Sequence, residues 1–311
     1  NKMLDVCLLG TGGMMPLPKR YLTALLVRHN GKSVLIDCGE ATQVPLYQSS
    51  YSVKDIDHIL FTHFHGDHTA GLPGLLMTMG NSMRTEALHL WGGVGLERVV
   101  KGLTVICNHL PFEIICHELS WKEQSSFQAG ELIVTAQPVK HSVPCLCYSL
   151  YLPRSGKFDI EKAKALNLPV IYWKHLQRGE TVEYDGQTFL PEMVMGQERK
   201  GLKVSYATDC RPSADIVRLA QDSDLFIAEG LYGAEEKWQS AKDNGHMIYR
   251  EAAQMARDAQ VKELWFTHFS PAMTNPHEHL EQAREFFPNS FCGSNLKEKT
   301  LRFTDEDENN A

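Results

Sequence analysis

The chain has 311 residues, of which 43% are apolar and 22% charged, a composition that is ordinary for a folded enzyme and excludes a mainly disordered chain. At this length a single α/β domain can bury a large core. The net charge of −7 excludes nucleic-acid binding over the whole surface, because phosphate contacts need Lys and Arg, so any such role requires a local basic patch.

Two features of the chain bear on its location. No stretch approaches the ~18 to 20 consecutive apolar residues that cross a bilayer, and the N-terminus begins with a strand-like LDVCLLG rather than a signal peptide. We therefore expect no membrane partner and a cytoplasmic location. The eight cysteines lie in apolar segments without a CxxC pair, which predicts buried, reduced thiols.

The first half of the chain alternates apolar, strand-like runs with glycine-rich turns. In chain order the predicted strands are LDVCLLG, TALLVRH, SVLIDCG and HILFTH. A helix is predicted from about His68 to Gly80, and it is followed by the strand ALHLWGG, the helix LERVVKGL and the strands PFEIICHEL, ELIVTAQPV and CLCYSLYL.

The second half repeats strands and helices, in the order KVSYATD, SADIVRLAQ, DLFIAEG, MIYREAAQMARDA and ELWFTHF. Two β-rich halves with helices outside predict an α/β fold, arranged as a four-layer αββα sandwich. Residues 153–203 fit neither pattern and are polar, with several Gly and Pro. We expect a single domain over 1–303, an arm inserted at 154–203, and a disordered acidic tail at 304–311, where the sequence reads TDEDENNA.

A histidine-rich motif directly follows the apolar run HILF. His63, His65, Asp67 and His68 give the spacing H-x-H-x-D-H at the end of a predicted strand. A turn at this point lets neighbouring side chains splay around two metal positions, which a helix or a continuous strand would not allow. Imidazole and carboxylate ligands suit zinc, and manganese or iron are also possible. The alternative interpretation is three solvated histidines on a loop.

The motif resembles that of the metallo-β-lactamase superfamily, and the resemblance implies where further ligands come. QPVKHSVPC supplies His141, VSYATDCRP supplies Asp209 and LWFTHFSP supplies His268, each after an apolar run. The resemblance implies two zinc ions per chain. One would be held by His63, His65 and His141, the other by Asp67, His68 and His268, with Asp209 bridging them.

A two-metal centre of this kind suits phosphodiester hydrolysis, because two metals stabilise both the attacking and the departing oxygen. The leaving alkoxide also needs a proton from a general acid. Glu229 in DLFIAEGLYG and His246 in DNGHMIYREAA are the candidates. We expect them, together with the ligand Asp67, to form the catalytic set, although a capping or surface role for Glu229 and His246 stays open.

Further segments narrow the resemblance to the ribonuclease Z family, over nearly the whole chain up to about residue 270. LLGTGGMMPLPKRYLTALLV is similar to the family's glycine loop, HFHGDHTAGLPGLL to its metal loop, and DCGEATQ to its DCGEGTQ, with Ala41 in place of glycine. This resemblance implies an endonuclease that removes the 3′ trailer of precursor tRNA, and it implies a homodimer.

The insertion resembles the family's flexible arm, or exosite, which grips the tRNA body. Between residues 154 and 178 six Lys or Arg stand against two acids, a local net charge of +4. The candidate RNA-binding residues are Arg154, Lys157, Lys162, Lys164, Tyr172, Trp173, Lys174 and Arg178. Cations interleaved with aromatic rings suit an RNA backbone with exposed bases. The alternative is a solvated surface hairpin.

Two other functions stay open from the sequence. One is a metallo-phosphodiesterase that acts on small or cyclic phosphodiesters on the same fold, and the basic arm argues against it because a small substrate needs no distant grip. The other is a non-catalytic RNA-binding or scaffold protein. The complete set of seven ligands argues against that function, since a scaffold needs no metal centre.

Overall fold

A computed structural model describes residues 3–303, so the predicted acidic tail at 304–311 lies outside the described residues. The described chain forms two compact units. The main unit comprises the residues up to Tyr151 together with Lys203–Arg302, and the arm unit comprises Leu152–Leu202 with Phe303.

The described residues contain strands and helices in an interleaved order. The strands are β1 (Met3–Gly10), β2 (Ala24–His29), β3 (Lys32–Ile36), β4 (Ile56–Leu60), β5 (Leu88–Gly93), β6 (Ile114–Leu119), β7 (Ser125–Ala129), β8 (Leu132–Val139), β9 (Cys145–Arg154), β10 (Val182–Tyr184), β11 (Gln187–Phe189), β12 (Arg199–Ala207), β13 (Leu225–Glu229), β14 (Leu264–Thr267), β15 (Ser290–Cys292) and β16 (Lys297–Arg302). The helices are α1 (Gln43–Gln48), α2 (Gly66–Thr69), α3 (Leu72–Asn81), α4 (Leu96–Leu103), α5 (Ile160–Ala165), α6 (Trp173–Gln177), α7 (Ala214–Ala220), α8 (Trp238–Asp243), α9 (Tyr249–Asp258) and α10 (Leu280–Phe286). Short 3₁₀ helices lie at Val53–Asp55, Thr104–Ile106, Val170–Tyr172, Pro191–Val194, Glu235–Lys237 and Pro276–His279.

Two seven-stranded mixed sheets form the centre of the main unit. The first has the order β16-β1-β2-β3-β4-β5-β6 and the second has the order β15-β14-β13-β12-β9-β8-β7. Strands β3 to β6 run parallel to one another, and so do β12 to β15, while the strands toward β16 and β7 pair antiparallel. In both sheets the parallel strands therefore end at a common edge, where loops can bring side chains together.

Both faces of each sheet are buried. Cys7 and Leu9 of β1 pack in one cluster with the apolar side of α3, whereas Val6 and Leu8 point to the opposite face and are also fully buried. Phe226 of β13 packs in a second cluster with α7, α9 and α10. These layers confirm the predicted α/β fold, a four-layer αββα sandwich.

The arm unit has its own small core. Its helices α5 and α6 and the β10–β11 hairpin bury an apolar cluster formed by Ala163, Leu168, Leu176, Val182, Phe189 and Val194. At the base of the unit, a Cβ atom on Gly156 would lie 2.3 Å from the carbonyl oxygen of Gly196. Only glycine permits this approach, and the two ends of the arm are consequently adjacent.

The described residues contain neither a disulfide bond nor a helix that could span a membrane. All eight cysteines lie within 3–303, and none forms a disulfide; six are buried and Cys107 and Cys116 are partly exposed. Burial of the thiols therefore agrees with the prediction at six of the eight positions, and that they are reduced stays a prediction. No helix between residues 3 and 303 is long and apolar enough to cross a membrane.

Candidate metal centre

The predicted ligands all lie at the ends of strands in the main unit. His63, His65, Asp67 and His68 follow β4 of the first sheet. From the second sheet, His141 follows β8, Asp209 follows β12 and His268 follows β14. Five of them stand where an apolar strand gives way to a loop, whereas Asp67 and His68 lie in the short helix α2, which the sequence interpretation of a turn did not include.

The structure brings the seven residues into two clusters, and Asp209 belongs to both. In each cluster one candidate ligand atom per residue lies within 4.8 Å of the others. The first cluster is His63, His65, His141 and Asp209, and the second is Asp67, His68, Asp209 and His268. This grouping is the one that the sequence resemblance implies. That these side chains bind metal stays a prediction.

The environment of His68 fits a metal ion. Within residues 3–303 its buried Nε2 atom has no hydrogen-bond partner, although Oδ2 of Asp209 lies 3.3 Å away and Oδ2 of Asp67 3.4 Å away. A buried polar atom without a partner costs free energy, and a cation between the imidazole and the two carboxylates would remove that cost. The donor set of each cluster, imidazole nitrogens and carboxylate oxygens, is one that zinc prefers.

A hydrogen-bond network behind the histidines fixes which ring nitrogen faces the clusters. Nδ1 of His68 donates to Oδ2 of Asp37 at 2.7 Å, and Nδ1 of His63 donates to the Thr62 hydroxyl at 2.9 Å. The Thr62 hydroxyl donates in turn to Asp37 at 2.9 Å. In the neutral form of each ring Nε2 then carries no proton and is available as a ligand. The sequence prediction did not assign Asp37 a role, although its place after β3 was a signal.

Contacts from loops hold three other ligands in place. Nδ1 of His141 donates to the carbonyl of Gly245 at 2.9 Å, and the backbone N–H of Met14 donates to Oδ2 of Asp67 at 2.9 Å. Gly13 lies against the ring of His268, where a Cβ atom would come within 2.7 to 3.0 Å of three ring atoms. A side chain at position 13 would therefore displace this ligand.

Carboxylates and imidazoles in the clusters shift one another's pKa values toward their charged forms. Burial alone would raise the pKa of the Asp209 carboxyl, but His268 and His68 hold that pKa well below its usual value. Burial would likewise lower the pKa of His68, and the carboxylates of Asp209 and Asp37 instead raise it well above its usual value. Asp209 is thus an anion at neutral pH, as a bridging ligand must be.

Glu229 and His246 lie together beside the two clusters. Nδ1 of His246 donates to Oε2 of Glu229 at 2.8 Å, and the backbone N–H of Cys210 donates to Oε1 at 2.9 Å. Glu229 is fully buried and the His246 side chain is 13% exposed. Burial would lower the pKa of His246, but the Glu229 carboxylate outweighs burial and raises that pKa to about 9. A protonated imidazole that still reaches solvent can donate a proton to a leaving oxygen.

The arm unit presents most of its predicted cations to solvent, but not all. Lys157, Lys162, Lys164, Lys174 and Arg178 are exposed, whereas Arg154 is buried with its guanidinium 4.7 Å from the Phe303 ring centroid. Trp173 is half-buried, and its Nε1 donates to the carbonyl of Leu168 at 3.0 Å. Tyr172 is half-buried, 5.4 Å from the ring of Tyr184. Packing within the arm therefore takes up part of the surface that the sequence pattern assigned to RNA.

Comparison of the sequence with curated proteins finds relatives over nearly its full length. A protein of Agathobacter rectalis named Ribonuclease Z is 50% identical, over 98% of this chain and 100% of the relative. A protein of Lachnoclostridium phytofermentans with the same name is 48% identical, over 97% of this chain and 99% of the relative.

Solved structures with the same fold include human tRNase Z, short form, at a TM-score of 0.70 and 24% identity, covering 96% of this chain and 100% of that one. The metallo-β-lactamase fold protein YhfI of Bacillus subtilis gives a TM-score of 0.70 at 19% identity, covering 97% of this chain and 100% of that one. These two likenesses confirm the metallo-β-lactamase fold.

Residues 4–165 match the family model described as Anti-Pycsar protein Apyc1. The full-length relatives confirm the resemblance that the motifs indicated. The chain belongs to the ribonuclease Z family and, through residues 4–165, also to the family of the Apyc1 model.

Proposed function

We propose that this protein is a metal-dependent endoribonuclease that hydrolyses a phosphodiester to remove the 3′ trailer of precursor tRNA. The observation that carries the proposal is the pair of ligand clusters that share Asp209, with the buried Glu229–His246 pair beside them. The relatives named Ribonuclease Z, at 48% and 50% identity over nearly the full chain, support this substrate over a small phosphodiester.

The clusters would hold two metal ions per chain, and zinc is our first candidate, with manganese or iron as alternatives. His63, His65 and His141 would bind one ion, Asp67, His68 and His268 the other, and Asp209 both. Two bound ions would supply a nucleophile at neutral pH and stabilise the charge on the reacting phosphate.

The chain's own residues handle the leaving group. Water attacks phosphorus and the bond from phosphorus to the ribose 3′ oxygen breaks, so the departing oxygen needs a proton. His246 donates that proton from Nε2, because Nδ1 is engaged with Glu229. Glu229 touches no substrate in this scheme. It holds the ring in orientation and keeps it protonated.

The arm would bind the body of the tRNA through its exposed cations. Lys157, Lys162, Lys164, Lys174 and Arg178 present positive charge on a chain whose net charge is −7. Electrostatic contacts of this kind to phosphates are independent of sequence, which suits an enzyme that processes many tRNAs.

We further propose that the protein is a homodimer. Val44 and Tyr47 on α1 and Met77 on α3 are exposed, Tyr47 to 91%. The two helices are neighbours, since the Thr78 hydroxyl donates to Gln43 at 2.7 Å. An apolar face of this kind is typical of an interface between copies. Light scattering of the wild type and of Tyr47→Lys tests it, and a wild-type monomer would refute the dimer.

A cytoplasmic location is also part of the proposal. The eight cysteines remain free thiols although Sγ of Cys147 and Sγ of Cys210 lie only 3.8 Å apart. Free thiols at this distance suit a reducing compartment. Fractionation of cells that express the protein tests the location.

One assay tests the activity. The purified protein is incubated with a precursor tRNA and with bis-p-nitrophenyl phosphate, each with and without a chelator. We expect both substrates to be cleaved, and we expect the chelator and Asp209→Ala to abolish both reactions. Hydrolysis of the small diester without any cleavage of precursor tRNA would replace our proposal with a small-molecule phosphodiesterase. Failure to cleave either substrate would support a non-catalytic protein.

A further inference from the structure

The proposed proton donor lies on a segment that regular secondary structure does not hold. The five residues from Asn244 to Ile248 connect α8 to α9, and Gly245 has a left-handed φ of +74°. A loop of this kind can shift by an ångström without breaking a helix or a sheet. The backbone N–H of His246 donates to the carbonyl of Ala241 at 2.8 Å, and Ile248 forms a β-bridge with Tyr232. An acid that must reach one oxygen atom needs a further restraint between these two points.

That restraint comes from two side chains on either side of Met247. Nη1 of Arg211 donates to the carbonyl oxygen of His246 at 2.6 Å. Oε1 of Glu251 accepts from the backbone N–H of Ile248 at 3.2 Å. The peptide units before and after Met247 are thus both tied to side chains from other segments.

Arg211 and Glu251 are also tied to each other. The guanidinium donates from Nη1 to Oε1 at 2.9 Å and from Nη2 to Oε2 at 2.6 Å. The two side chains are only 14% and 7% exposed, so solvent screens the pair weakly. A bidentate pair of this kind fixes direction as well as distance, which lysine cannot reproduce.

Arg211 further connects the segments that carry the ligands. It stands two residues after Asp209, and its backbone N–H donates to the carbonyl of Lys140 at 2.8 Å, next to His141. One residue therefore relates the position of His246 to that of both ligands. Among the residues that the structure describes, the hydrogen bonds of the pair reach the backbone on either side of Met247, so its influence on the His246 ring passes through the backbone.

We propose that Arg211 and Glu251 are positioning residues for the proton donor, which set the distance between His246 and the leaving oxygen. The proposal rests on the proposed function, because it needs a substrate whose leaving group requires a proton. It goes beyond that function by assigning to a buried ion pair a role in one step of the reaction, the protonation of the ribose 3′ oxygen.

The test compares two substrates that differ in their leaving group, in the wild type and in the His246→Ala variant. Arg211→Met should lower kcat for precursor tRNA about 10- to 100-fold, since a shift of about an ångström can cost a factor of this size. The loss with bis-p-nitrophenyl phosphate should be at least about tenfold smaller, because nitrophenolate leaves without a proton. KM for tRNA and the metal content should stay at wild-type values.

The decisive measurement is the rate of tRNA cleavage by the double variant that combines Arg211→Met with His246→Ala. If Arg211 acts through the imidazole, Arg211→Met should lower tRNA cleavage less than about twofold further in that background. Losses that multiply, or an equal loss on both substrates in the single variant, would refute the positioning role. A wild type that does not cleave precursor tRNA would instead refute the proposed function.

Two further variants protect the test against a simple loss of folding. Arg211→Met combined with Glu251→Gln leaves no single buried charge without its partner and should keep the differential loss. Arg250→Met removes a neighbouring ion pair, which Arg250 of α9 forms at 2.8 Å with Glu235 of a separate 3₁₀ helix. That control should change both reactions equally or not at all, and a differential loss there would count against the proposal.

Discussion

Asp37 and His68 form a buried pair in which the histidine Nδ1 donates to the carboxylate at 2.7 Å. The histidine Nε2 faces Asp209, which belongs to both ligand clusters. Asp37 adopts a left-handed backbone with φ of +67°, which costs free energy in a residue other than glycine. The fold tolerates that cost at a position where a carboxylate can orient two histidines.

We expect Asp37→Asn to weaken metal binding about 10- to 100-fold, because the amide is a poorer acceptor and no longer selects the correct tautomer of His68. Titration of the metal-free protein against a chelating dye measures the effect. Asp5→Asn, on β1 and paired with Arg28 at 3.2 Å, serves as the control. Equal affinity in wild type and Asp37→Asn would contradict the assignment.

His246→Ala should lower kcat for precursor tRNA about 10²- to 10⁴-fold, the usual contribution of a general acid. With bis-p-nitrophenyl phosphate the loss should be far smaller, because the leaving group is stable as an anion. Steady-state kinetics on both substrates provides the comparison. His277→Ala, an exposed histidine, is the control. Matching losses on the two substrates would point to a structural or metal-supporting role for His246.

The pH dependence of tRNA cleavage should report the Glu229–His246 pair. The raised pKa of His246, about 9, means that the protonated acid is present at neutral pH and is lost as the pH rises through that value. Glu229→Gln removes the carboxylate that raises the pKa, so the alkaline limb of the kcat profile should move to lower pH. An unmoved limb in Glu229→Gln would show that another group controls it.

Removal of the arm should abolish cleavage of precursor tRNA and spare hydrolysis of bis-p-nitrophenyl phosphate. Because Gly156 and Gly196 are adjacent, a short Gly-Ser linker can join them in place of residues 157–195. All seven ligands lie in the main unit, outside the deleted segment. A truncated protein that still cleaves tRNA at the parental rate would leave the arm as a solvated surface structure.

A charge variant separates the role of the cations from that of the arm's shape. Lys174→Ser with Arg178→Ser should flatten the dependence of tRNA binding on salt, by roughly 0.7 to 0.9 log units per log of salt for each phosphate that the arm no longer neutralises. Lys54→Ser with Lys262→Ser removes the same charge before β4 and β14, away from the strand ends that carry the ligands. An identical change in both double variants would indicate only a net-charge effect.

Ala41 occupies a position where the family's DCGEGTQ has glycine, and its φ is +63°. A left-handed alanine is strained by about 1–2 kcal/mol, while glycine costs about 0.4–1 kcal/mol more entropy on folding. We therefore expect Ala41→Gly to raise the free energy of unfolding by about 0.5 kcal/mol, measured by urea denaturation. Ala165→Gly, at the last residue of α5, should lower the free energy of unfolding. If Ala41→Gly lowered the free energy of unfolding, the backbone strain that we assign to Ala41 would be contradicted.

The sequence predicts which seven side chains come together, because each follows an apolar strand of one of the two sheets, while metal binding itself stays a prediction. It does not reveal that Asp37 contacts His68, or that Arg211 contacts Glu251, because the partners are separated by 31 and 40 positions. Only the folded backbone brings such partners together.

Strands and helices without a clear hydrophobic pattern are also absent from the sequence prediction. Strand β16 reads KEKTLR and pairs only with β1, so just Leu301 is buried and no apolar run marks it. Short strands β7 and β15 and helix α10 were missed for the same reason. The helix predicted from His68 to Gly80 is instead two helices, α2 and α3, interrupted at Ala70 and Gly71. A Cβ atom on Gly71 would lie 1.9 Å from the carbonyl of Gly39, so the break lets two loops meet.

Each ligand cluster takes side chains from both seven-stranded sheets, since His63 to His68 follow the first sheet and His141, Asp209 and His268 follow the second. A bound cation would thus act as a cross-link between the two halves of the sandwich. At a free concentration of 100 times its dissociation constant, one such ion stabilises the native state by about 2.7 kcal/mol. A cell short of the metal that these clusters are proposed to bind would then lose not only turnover but also protein, because the chain without the cross-link opens more often to proteases.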